Sequence, residues 1–118
     1  MYGVPADLDL SIFQRAILTQ VSIGEFQIQF HFHPTASISV EGNWELMDAA
    51  GKRIDSAKPN EERDVFRLHV LLGKTVEHHS VAPPRAFSLG FESGYVLTIF
   101  DDSREYESFS IQPGDIFV

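Results

Sequence analysis

The second half of this chain of 118 residues repeats the first. Phe13, Arg15 and Ile17 answer to Leu72, Lys74 and Val76 at an offset of about 59. Phe26-x-Ile28-x-Phe30 answers to Phe87-x-Leu89-x-Phe91 at an offset of about 61, with Pro83-Pro84 able to absorb the difference. A duplicated supersecondary unit accounts for most of the apolar pattern as core before any active site is invoked. Two similar β-meanders follow, over roughly 13–54 and 72–118, joined by one central helix.

The strand signals are of period two. Phe26, Ile28, Phe30 and Phe32 alternate with Gln27, Gln29, His31 and His33, which gives one apolar face and one polar face. Ile17, Val21 and Ile23 precede them as a strand ending at Gly24-Glu25, Ile38 and Val40 continue the meander, and Trp44 and Leu46 carry a fourth strand to Asp48-Ala49-Ala50-Gly51. Trp44 alternates with Leu46, which assigns it to the core. From Asn60 the period changes. Val65, Leu68 and Leu72 lie at i, i+3 and i+7, Glu61 and Glu62 suit a helix N-terminus, and Gly73 suits its stop, so a helix is predicted over about 60–72. Strands resume over Thr75–Val81, Ala86–Glu92, Tyr95–Asp101 and Glu107–Ile111, with a Ser93-Gly94 hairpin turn. Because Val96, Thr98 and Phe100 mirror Tyr95, Leu97 and Ile99, the Tyr95–Asp101 strand reads as central and covered on both faces. Residues 1–15 fit neither period. The predicted class is α+β, mainly antiparallel, in a single domain over residues 1–118.

Charge narrows the partners. Seventeen acids against nine bases give a net charge of −8, and residues 91–118 hold six acids against Arg104 alone. Such a chain repels a phosphate backbone, so nucleic acid is not the expected ligand. No Cys is present, which removes thiol nucleophiles, zinc–thiolate sites and disulfides and fits a reducing cytoplasm. No stretch approaches the apolar length of a membrane helix, so no membrane partner is expected.

Gly73-Lys74-Thr75-Val76, Leu89-Gly90-Phe91-Glu92-Ser93-Gly94, Tyr95-Val96-Leu97-Thr98-Ile99 and Tyr106-Glu107-Ser108 together resemble a bacterial family of small proteins of unknown function. The resemblance implies a duplicated β-meander and carries over no catalytic residue, because these motifs are turn and core chemistry.

Motifs that would carry chemistry are few. His31 and His33, at i and i+2 on a strand, share a face and could both bind a metal, and Ile111-Gln112-Pro113-Gly114-Asp115 looks like a cupin turn. The Glu expected soon after the His pair is missing, however, and both His can simply join Gln27 and Gln29 on the polar face. His78 and His79 point to opposite faces, and His69 reads as a boundary residue of the helix. Gly90-Phe91-Glu92-Ser93-Gly94 lacks the spacing of a nucleophile elbow, no phosphate-binding loop occurs, and Asp101-Asp102 lies in a turn. Two functions are therefore expected in order. The first is a non-enzymatic, cofactor-free protein-binding module, of the immunity type, that meets a basic protein through Glu92, Asp101, Asp102, Glu105 and Glu107. The second is a small-ligand or metal-binding domain using His31 and His33.

Overall fold

Alternating side chains commit this chain to strands, and in the computed structural model they build ten of them among the described residues, which are 4–24, 27–56, 66–101, 109–112 and 116–117. The strands are β1 (Ile17–Ile23), β2 (Ile28–His33), β3 (Ala36–Val40), β4 (Trp44–Met47), β5 (Arg53–Ser56), β6 (Val76–Ala82), β7 (Ala86–Phe91), β8 (Val96–Phe100), β9 (Phe109–Gln112) and β10 (Ile116–Phe117). All pairings are antiparallel. They form two five-stranded sheets, ordered β1-β2-β3-β9-β10 (sheet A) and β5-β4-β8-β7-β6 (sheet B).

The class is therefore mainly antiparallel β, and the expected α+β arrangement with a central helix does not form. Of the helix predicted over 60–72, residues 60–65 lie outside the described residues. Its described part is a single 3-10 turn, Leu68–Leu71. The reason lies in the spacing: Leu68 and Leu71 are both buried, an i, i+3 pair that one 3-10 turn satisfies, whereas Leu72 is 45% exposed and contributes no third helical contact. Gly73, with φ +80°, then turns the chain into β6.

The duplication is present as a two-fold relation, in a register different from the one expected. Arg15 N–H donates to the Val76 carbonyl and Gly73 N–H to the Leu18 carbonyl; Val76 N–H donates to Ala16 and Leu18 N–H to Lys74. These reciprocal pairs map Arg15 onto Gly73, Ala16 onto Lys74 and Leu18 onto Val76, and an isolated bridge between Ile17 and Thr75 lies between them. The local offset is thus about 58. Both outer hairpins also carry a register shift at the same place, between Leu18 and Gln20 in β1 and between Val76 and His78 in β6. Phe32, opposite Leu18, thereby corresponds to Phe91, opposite Val76, and not to a residue two positions further along.

The two units are not separate sheets. Each gives three strands to its own sheet, and the fourth and fifth cross to the other: β4 pairs with β8, with Leu46 opposite Leu97, while β9 pairs with β3, with Ile111 opposite Ile38. The exchange is completed by the hairpin partner strands, β5 beside β4 and β10 beside β9. One core fills the space between the sheets. Phe32 of sheet A lies 6.4 Å from Phe91 of sheet B, and Phe87 of sheet B lies 4.9 Å from Phe109 of sheet A at 66°. Trp44 is buried in the same core, as its alternation requires.

Other expectations meet a direct outcome. β8 is the middle strand of its sheet, with Leu97 and Ile99 buried. Its other face is not sealed, since Val96, Thr98 and Phe100 are only half-buried and no helix covers them among the described residues. Ser93 (φ 70°) and Gly94 (φ 86°) make the β7–β8 turn, and a Cβ on Gly94 would stand 2.5 Å from that of Ala49, so glycine lets this turn meet the β4–β5 loop.

Candidate functional site

His31 projects from the outer face of sheet A, half-buried, between Gln20 on β1 and Ser37 on β3. His33 follows two residues later at the exposed end of β2, opposite Ile17. Period two places both on one face, as the sequence predicts. Among the described residues no group of three His, Cys, Asp or Glu is close enough to hold a metal ion. Two imidazoles would leave a tetrahedral ion half-coordinated.

The acidic residues divide. Glu92 follows β7 and is engaged inside the fold: its carboxylate accepts the Thr75 N–H at 3.0 Å, while its own N–H donates to the Thr75 carbonyl at 2.9 Å. Asp101 follows β8, with its N–H donating to the Arg85 carbonyl at 2.7 Å. Antiparallel pairing puts the end of β7 beside the start of β8, so Glu92 and Asp101 sit at opposite ends of sheet B, separated by the length of β8. They do not form one patch with each other. Asp102, Glu105 and Glu107 lie outside the described residues, as do Pro113, Gly114 and Asp115 of the cupin-like run.

Three further histidines are exposed: His69 on the 3-10 turn, and His78 and His79 on β6. His79 lies near Asp9, whose carboxyl is held below its ordinary value of 3.8, first by the Ser11 hydroxyl and then by the Ser11 N–H, which donates to Oδ1 at 2.9 Å. Both bonds close an exposed turn entering the 3-10 segment Ser11–Phe13, which is a structural use of the carboxylate.

Sequence reasoning passed over two features. Asp55 is the buried acid of β5; its Oδ1 accepts the Ser56 N–H and its Oδ2 accepts the Arg67 N–H at 2.6 Å, tying the exchanged strand to the chain entering the 3-10 turn. The second feature is the outer face of sheet A. Strand register lines up Gln20, His31, Ser37 and Gln112 in one row and Ser22, Gln29, Ser39 and Ser110 in the next. The five strands of this sheet contain no Asp, Glu, Lys or Arg at all, although 26 of the 118 residues are charged. Serine and glutamine in alternate positions of strands were the available signal, once the strands that share a sheet are known.

Comparison with protein-family models, with curated proteins and with solved structures gave no match. No helix among the described residues is long and apolar enough to cross a membrane.

Proposed function

We propose that this chain is a non-enzymatic protein-binding module of the duplicated β-meander type whose partner is a basic protein, as in an immunity protein that covers a cationic toxin in the cytoplasm. The observation that carries it is the charge: −8 overall, with six acids against one base in residues 91–118. Such a field raises the encounter rate with a cationic surface and repels nucleic acid. The contact acids are Glu92, Asp101, Asp102, Glu105 and Glu107; Glu92 is left out of the substitution below because its Oε1 also accepts the Thr75 N–H. A pull-down from the native cell, followed by association kinetics, tests this. The captured partner is basic, and converting the other four residues to amides lowers its on-rate and flattens the fall of on-rate with salt, with the melting temperature of the module little changed. A partner whose on-rate ignores both the substitutions and ionic strength would refute the reading.

A further inference from the structure

We infer that the segment leading into the first unit, Val4–Phe13, is a flap over the edge of β6 that opens while both sheets stay closed, whereas its counterpart in the second unit is fastened shut. The inference does not rest on the basic-partner reading. The two units begin alike. At the offset of 58, Leu10 answers to Leu68 and Phe13 to Leu71, all four buried, and each lead-in ends in a 3-10 turn, Ser11–Phe13 or Leu68–Leu71. Each turn packs against the first strand of the other unit, the first on β6 and the second on β1.

The second lead-in has two fastenings that the first lacks. The buried Asp55 carboxylate accepts the Arg67 N–H at 2.6 Å, and the Phe66 ring stacks on buried Trp44 at 6.5 Å and 28°. In the first unit Asp9 stands in the place of Arg67 and the half-buried Leu8 in that of Phe66. Asp9 uses its carboxylate within its own segment, where it accepts the Ser11 N–H, and its own N–H meets no acceptor among the described residues. The Leu8 N–H donates to Pro5 and the Phe13 N–H to Leu10, again within the segment. Among the described residues, a single hydrogen bond from Val4–Phe13 therefore reaches the second unit, from the Val4 N–H to the Pro84 carbonyl at 2.8 Å. Burial of Val4, Leu10 and Phe13 supplies the rest of the hold.

The flap runs the length of β6. Val4 meets Pro84 just beyond one end of the strand, and Gln14, directly after the flap, donates its Nε2 proton to the Glu77 carbonyl at the other. β6 is an edge strand of sheet B, and an edge is where an extended chain can add to a sheet. The segment thus guards that edge, and its sparse bonding makes it the part that opens first.

Thiol labelling of the folded full chain tests this, because the protein has no Cys and one introduced thiol reports one position. Leu10→Cys and Leu68→Cys alter equivalent side chains, each 1% exposed, and Leu97→Cys reports the centre of sheet B. Labelling is expected to be at least about tenfold faster at position 10 than at 68 or 97, the ratio that one buried hydrogen bond to a charged group accounts for. In low urea the rate at 97 rises and the rate at 10 does not, because opening of a short segment exposes little surface. A rate at 68 equal to or above that at 10, or a rate at 10 that climbs with urea as steeply as at 97, would overturn the proposal. Should a Cys variant not fold, amide exchange of the unaltered protein supplies the second measurement: the Val4 and Phe13 N–H groups exchange at least about tenfold faster than the Arg67 N–H, each relative to its intrinsic rate. Equal protection of the three would likewise overturn it.

Discussion

Arg15 and Gly73 occupy equivalent places, each with a positive φ, 64° and 80°, immediately before the strand that opens its unit. The fold demands the left-handed conformation twice, and only one half answers with the residue that adopts it freely. A side chain there costs roughly 1–2 kcal/mol, partly offset by the backbone entropy that glycine loses on folding. Arg15→Gly should therefore stabilise by about 0.5–1 kcal/mol and Gly73→Ala should destabilise by about 1 kcal/mol, read as opposite shifts of the urea midpoint at constant slope. Shifts of the same sign would mean that the two positions are not equivalent. Leu72, two residues before Lys74, shows why the duplication was misregistered in the sequence: it is large and apolar like Phe13, but the buried counterpart of Phe13 is Leu71. Composition alone does not distinguish two adjacent leucines.

Individual strands were legible because one face of each is buried. β2 (Ile28, Phe30, Phe32) and β8 (Leu97, Ile99) show the alternation expected of them. Illegible was the sheet to which each strand belongs, since alternation states that a strand has a buried face and says nothing of its neighbour. The exchange of β4 and β9 between units leaves no mark in either strand's own sequence. Strand β5 escaped notice for a second reason: its inward position is Asp55, a carboxylate that replaces the expected apolar residue and is satisfied by two backbone N–H groups. Of the candidate site, the shared face of His31 and His33 was legible from period two, whereas the serine and glutamine rows are completed by β9, which is distant in sequence from the consecutive strands β1, β2 and β3. Asp55→Ala should cost about 1–3 kcal/mol by leaving those donors without an acceptor, and Asp55→Asn less, because its carbonyl oxygen can serve one of them. Chemical denaturation with amide exchange at Arg67 checks this; an unprotected Arg67 N–H in the unaltered protein would remove the strap.

At the scale of the whole molecule, two copies of one unit close a single core by lending each other a pair of strands. Phe32 against Phe91 and Phe87 against Phe109 join the sheets across that core, so neither half has a complete hydrophobic interior of its own. Charge is distributed on the same plan: the strands of sheet A are free of it, those of sheet B include Glu45, Arg53, Asp55 and Glu77, and the largest excess of acid follows β7 in the sequence. The serine and glutamine rows of sheet A are complete only if β9 lies beside β3. The most direct measurement is therefore the set of cross-strand nuclear Overhauser contacts in the isotopically labelled protein. The exchange predicts backbone contacts of Leu46 with Leu97 and of Ile38 with Ile111. Contacts linking β3 to β4 and β8 to β9 instead, each meander closing on itself, would contradict it.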